Sequence, residues 1–250
     1  MSWRNYWDKV TRYFAFSNEE ISAFVITVLV FAFIDSFDQW GYERFDVLIG
    51  LKNYLISLII VGTALFVHHA AQRLAAIRTG FRAEHKLWWH GLVLGLILVV
   101  FTRGTVELFV ASGVFIHMLA AHRLGVFRYG PNIDTYAMIA LWGPLANIFF
   151  ATVVKTLELW TPLPLNPEIV QAIFVFNLGF AALNMLPIPP LDGSRVFFAS
   201  RLTYAFVAGT IIGYVALIYF FNAYSYIFAL LIGGAVWLLF LIFFESHWRK

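Results

Sequence analysis

The chain has 250 residues, of which 61% are hydrophobic and only 12% charged. A soluble domain carries about 25% charged residues, so a water-facing shell cannot be built from this composition. No cysteine is present and the formal net charge is only +3, spread among apolar stretches. That excludes a disulfide framework, a thiolate metal site and a cysteine nucleophile. It also leaves no concentrated basic face for nucleic acid. No Ser/Gly/Pro linker divides the sequence, so residues 1–250 read as a single membrane domain.

Residues 1–18 hold Trp3, Arg4, Tyr6, Trp7, Lys9, Arg12 and Tyr13, without the apolar stretch of a signal peptide. They read as an amphipathic segment on the membrane surface, or as a short soluble tail. A span from Ile21 to Phe37 follows, capped by Ser17 or Asn18 with Glu20 nearby. After an acidic loop (Asp35, Asp38, Glu43, Asp46), Val47 to Arg78 forms a helix about 48 Å long, enough to tilt or to project beyond a bilayer. Gly80 ends it, giving a motif helix over 47–80. Within 88–136, Trp88 to Phe101 has the length of a re-entrant segment. Val106 to Met118 reads as a short hairpin or strand pair that other protein segments must cover. Ala137 to Leu159 and Ile169 to Leu186 are spans within the core region 137–195. The region 196–250 is a pair, Val196 to Phe221 and Tyr226 to Phe244. The sum is an all-α polytopic membrane protein with about six spans and a re-entrant or β-hairpin insertion. The Lys/Arg distribution puts both termini in the cytoplasm of a cell membrane. No internal repeat is visible, which disfavours an inverted-repeat transporter.

Ionisable residues inside membrane helices are costly and mark functional positions. His68 and His69 lie about 15 Å above the inner end of their helix, ten residues at the helical rise. Asp192 follows a Pro-rich stretch at the inner end of a later span, toward the same membrane face. The remaining histidines (His85, His90, His117, His122 and His247) are scattered and flanked by aromatics, and read as interfacial.

The stretch Asn184-Met-Leu-Pro187-Ile-Pro-Pro-Leu191-Asp192-Gly193 resembles the Asn-x-x-Pro…Leu-Asp-Gly motif of the site-2 protease family of intramembrane zinc metalloproteases. Gly143-Pro144-Leu-Ala-Asn147 resembles that family's small-residue and asparagine motif. Val67 to Gly80 falls where the family's His-Glu-x-x-His helix belongs, and residues 82–88 look like the smaller archaeal-type members. The resemblance covers residues 20–200 and implies a three-helix core. It implies zinc held by two histidines one helical turn apart and a distant aspartate, with a glutamate as general base and water in the fourth position.

Carried onto this chain, the ligand positions are His68, Gln72 and Asp192, and the glutamate position is His69. Asn147, Asn184 and Pro187 fall at positions that contact a peptide substrate. Gln72 offers only a weak neutral ligand. His69 lies about 100° around the helix from His68, so the two do not face one ion. The expectation is a non-proteolytic homologue that binds a transmembrane or extended peptide segment of another membrane protein within the lipid bilayer. The alternative is a divergent zinc endopeptidase with an altered ligand set. On the bland reading, His68 and His69 are merely satisfied within the bundle, and Asn147 and Asn184 join helices.

Overall fold

A computed structural model describes residues 3–41, 44–110, 112–118, 133–160, 166–221 and 224–245. The chain order is α1 (Trp3–Tyr13), α2 (Asn18–Asp35), α3 (Val47–Thr79), β1 (Phe81–Leu87), α4 (Trp89–Phe101), β2 (Ser112–Met118), α5 (Ile133–Trp160), α6 (Pro167–Asn184), α7 (Asp192–Ala199), α8 (Arg201–Phe221) and α9 (Tyr226–Phe240). Five helices are long and apolar enough to cross a membrane, or six when α1 and α2, bent by 81° at their junction, count as one span. The protein is an all-α polytopic membrane protein with one small sheet. His122 and His247 lie outside the described residues.

Local chemistry fixes the ends of the central elements. Ser17 caps α2 in a full capping box with Glu20. Asp46 caps α3 by accepting from the amides of Leu48 and Ile49. Gly80 closes α3 at φ 87°, in the left-handed region that a side chain resists. The helix therefore turns directly into β1, whose first residue, Phe81, packs with Ala76 and Ile139.

Two expectations change in detail. Residues 106–118 do not fold back on themselves: only 112–118 is a strand, and it pairs antiparallel with 81–87, Leu87 opposite Ser112 and Phe81 opposite Met118. The expected hairpin fails because the partner strand lies on the other side of α4, and short apolar runs do not reveal their partner. Between the strands the chain leaves through α4 and returns as an extended segment. The return lies so close to α4 that a Cβ at Gly91 would meet the Val110 carbonyl at 2.0 Å, and one at Gly95 the Leu108 carbonyl at 2.6 Å. The span expected over 196–221 is broken at Ser200 into α7 and α8.

The core is a cluster from α2, α3, α4, α6 and the return segment, including Phe31, Ala64, Leu65, Phe109 and Phe180. By contrast α9 keeps most of its apolar surface outward, as expected of a helix facing lipid.

Candidate functional site

On α3, His68 and Gln72 are separated by four residues and share one face, while His69 and Arg73 share the next. The first pair faces α5 and α7. The second faces the α1–α2 junction and β1. All four side chains are buried.

His68 is held on both ring nitrogens. Its Nδ1 lies 2.8 Å from Asn147 Oδ1, and its Nε2 lies 2.9 Å from Asp192 Oδ2. The hydrogen positions follow from the neighbours. Asn177 Nδ2 donates to the Ile173 carbonyl, so Asn177 Oδ1 is an acceptor. Asn147 Nδ2 donates to that oxygen at 2.8 Å and to the Ala64 carbonyl at 3.0 Å. Asn147 Oδ1 must then face His68, whose Nδ1 carries the proton. Its Nε2 and the Asp192 carboxyl group are hydrogen-bonded to each other. Asp192 is the first residue of α7, where amides without helical partners favour negative charge.

Pro144 lies inside α5. A helical proline lacks the N–H that would bond the carbonyl four residues earlier, which here is Ala140. Gln72 Nε2 donates to that carbonyl at 3.1 Å. Gly143 lets α3 come this close: a Cβ there would sit 2.4 Å from His68 Nε2 and 2.7 Å from Gln72 Nε2. The Gly-Pro-x-x-Asn motif thus supplies a gap, a bare carbonyl and an amide, all used by α3.

Gln72 Oε1 points the other way and accepts from His85 Nε2 at 3.0 Å. His85, expected at an interface, is instead buried against this network, its ring centroid 3.6 Å from that of His69. Burial, followed by the fields of His68, Arg73 and Arg195, holds the His85 imidazole well below its ordinary pKa. It is therefore neutral, with its proton on Nε2, and among the described residues neither its Nδ1 nor His69 Nδ1 has a hydrogen-bond partner. The β1–β2 pairing carries His85 into the bundle, and its spacing from His69 gave no hint of this. His117 is exposed on β2 near Glu84.

Beyond the histidines, Arg73 pairs with Glu20 and donates to the carbonyls of Phe14 and Ala15, with Phe16 stacked on its guanidinium at 4.1 Å. Glu20 also accepts from the amides of Ser17 and His85. This one ion pair fastens the α1–α2 bend, α3 and β1 together. Asn184 donates to the Phe180 carbonyl. The Pro187–Asp192 loop lies against β2: a Cβ on Gly113 would touch Pro190 at 3.0 Å.

The donor set does not fit a zinc ion. Among the described residues no three His, Cys, Asp or Glu side chains are grouped to hold one. His68 Nε2 and Asp192 Oδ2 lie at hydrogen-bonding distance. Two ligands of a tetrahedral zinc, each about 2.0–2.1 Å from the ion, stand roughly 3.3 Å apart. The Gln72 oxygen is spent on His85, and His69 points toward Phe24 and His85. The orientation of His68 nonetheless matches a metal-site second shell, in which the far ring nitrogen donates to a fixed acceptor.

The fold and site define a polytopic membrane protein with a buried His–Asp contact between a long central helix and a Pro-rich loop. No protein-family model matches the chain, and no solved structure matches it. Over 202 residues it is 34% identical to a protein of Methanocaldococcus jannaschii named "Putative zinc metalloprotease", covering 80% of this chain and 95% of that protein. The chain therefore belongs to that protein's metalloprotease family.

Proposed function

We propose that this chain is a non-proteolytic member of the site-2 protease group, which binds a transmembrane or extended peptide segment without cutting it. The observation that carries this reading is the closure of the site: His68 is engaged on both nitrogens, by Asn147 and Asp192. With the Gln72 oxygen turned to His85, no third strong ligand faces that pair among the described residues. The protein's residues then act as a fixed polar floor rather than as acid, base or ligand.

A cavity of about 420 Å³ between α3, α6 and the return segment gives the peptide a place. Its apolar wall includes Ile60 and Phe180, and the Phe180 ring lies 5.2 Å from that of His68. Its other end is polar, with Asn53, Ser57 and Glu107. Asn184 and Pro187 lie at the end of α6 and just beyond it, where an extended segment would leave the cleft. Asn147 takes no direct part in binding on this reading, since its amide is fully committed to His68, Ala64 and Asn177.

We place both termini on the cytoplasmic side of a cell membrane, from the Lys/Arg distribution. The cysteine-free chain makes this simple to test: Lys250→Cys should be shielded from a membrane-impermeant maleimide on intact cells, and Arg44→Cys should be labelled. For the main reading, folded full-length protein purified without chelator should contain well under one zinc per chain. Stoichiometric zinc, lost on His68→Ala or Asp192→Ala, would overturn it in favour of an altered-ligand protease. A photo-crosslinker at Val175 in the cavity wall should capture a co-reconstituted single-span peptide, whereas one at Ile242 should not.

A further inference from the structure

About five helical turns along α3 from the cleft, toward its C-terminal end, a groove of about 810 Å³ runs between α3 and α5. Three small residues hollow it out: Ala71 and Ala75 on α3, and Ala146 on α5. Trp142 and Phe149 form its apolar far wall. One end is different. There Arg78 lines the groove beside Tyr6 of α1, whose hydroxyl donates to the Leu74 carbonyl at 3.3 Å. Arg78 is exposed, and among the described residues no carboxylate is within ion-pair distance of it.

We propose that this groove is a binding site for one anionic phospholipid, with an acyl chain along the alanine-lined trough and the phosphate at Arg78. Charge complementarity selects the occupant. Packing a tail against apolar helices gains little in a membrane, because the surrounding lipid is equally apolar. A basic group at the rim of a pocket between helices, by contrast, attracts an anionic headgroup. The placement of α1 argues against a transmembrane helix as the occupant. A helix is about 10 Å across with its side chains. To span the membrane along this groove it would have to pass the end where α1 is tied to α3 by Tyr6. A phospholipid ends there, with its headgroup at the cation. This site is separate from the peptide cleft and does not depend on that reading.

The test is native mass spectrometry of the full-length protein in mild detergent, titrated with dioleoyl-phosphatidylglycerol or dioleoyl-phosphatidylcholine. One phosphatidylglycerol should be retained per chain at concentrations where phosphatidylcholine is not. Arg78→Gln should weaken that retention about fivefold, the factor for one basic residue near a lipid headgroup. Ala146→Trp, which fills the trough, should abolish it, and Arg201→Gln on α8 should leave it unchanged. Thermal midpoints of all variants show which of them are folded, and either folded variant suffices for the comparison. Equal retention of the two lipids, retention insensitive to both groove substitutions, or displacement of phosphatidylglycerol by a single-span helical peptide would each overturn the assignment.

Discussion

Gly143→Ala is the sharpest probe of the site. The added Cβ would lie 2.4 Å from His68 Nε2, 2.5 Å from its Cε1 and 2.7 Å from Gln72 Nε2. All three distances are shorter than real Cβ contacts allow, so the imidazole or the helix must move. Forcing a methyl into a packed interior costs about 1–3 kcal/mol. Pushing His68 off Asp192 adds the loss of a charge-assisted hydrogen bond, about 1.5–3 kcal/mol. The sum is about 2.5–6 kcal/mol. For a chain of this size each kcal/mol lowers the melting midpoint by about 2–4 °C, so a drop of about 5–24 °C is expected. The assay is thermal unfolding in detergent followed by circular dichroism. Gly179→Ala is the matched control, because a Cβ there meets nothing within 4 Å. Relieving a mid-helix glycine should raise stability by about 0.5–1 kcal/mol. In a His68→Ala background the imidazole is gone, and the cost of Gly143→Ala should shrink by more than about 1 kcal/mol as the two sites couple. A Gly143→Ala protein that melts within about 2 °C of wild type would refute the packing described for α3 and α5.

The remaining predictions use the same assay. Arg73→Met leaves Glu20 buried without its partner and should cost about 3–5 kcal/mol, while the double Arg73→Met, Glu20→Met variant should recover much of that loss; no recovery would show that the ion pair is not the fastening. Asn147→Ala strands His68 Nδ1 and Asn177 Oδ1, while the Ala64 carbonyl keeps its helical partner, and at about 1–3 kcal/mol for each stranded group should cost at least about 2 kcal/mol. Asn184→Ala, which removes one hydrogen bond to the Phe180 carbonyl, should cost about 1 kcal/mol, and equal effects would contradict the network. Burial first, then the charges of Asp35 and Asp38, raise the Glu107 carboxyl to about 8. The folded state therefore binds this proton at pH values where the unfolded chain has released it, so stability falls as pH rises from the ordinary carboxylate range to about 8 and is level above that. Glu107→Gln should remove that slope, so the melting difference between variant and wild type should grow from pH 5 to pH 8; a difference independent of pH would count against the assignment.

Much of the helical frame was legible because long apolar runs, a capping box and a closing glycine are local signals. Ser17 with Glu20, and Gly80 after Thr79, fix helix ends from within a few residues of sequence. The meeting of His68 with Asp192 was also expected, from the resemblance and from their common depth. What sequence did not reveal depends on pairings distant along the chain. Residues 81–87 carry Arg82, Glu84, His85 and Lys86, and they become a strand only where β2, 25 residues further on, supplies hydrogen-bond partners. His85 looked interfacial for the same reason, since only the strand pairing turns it inward. Asn177 was readable in principle: it lies seven residues before Asn184 on the same face, within the apolar stretch of α6. A polar residue so placed needs a partner.

The substitutions at the family's ligand positions make physical sense together. The histidine that the resemblance implies at position 72 has one donor and one acceptor, and as a ligand it would give its acceptor nitrogen to the ion. Glutamine has both a donor and an acceptor, and spends them on Ala140 and on the proton of His85 Nε2. At position 69, a histidine kept neutral can sit against the neutral His85 ring. A carboxylate there would be buried beside Glu20, which already balances Arg73. Burial of an unpaired charge is far costlier than burial of a neutral ring. With Gln72 and His85 hydrogen-bonded to each other, His68 Nε2 and Asp192 face one another at 2.9 Å. The Asn147 and Asn177 amides that orient His68 need no ion to hold their places, which is why the outer hydrogen bonds of the site persist around an altered centre.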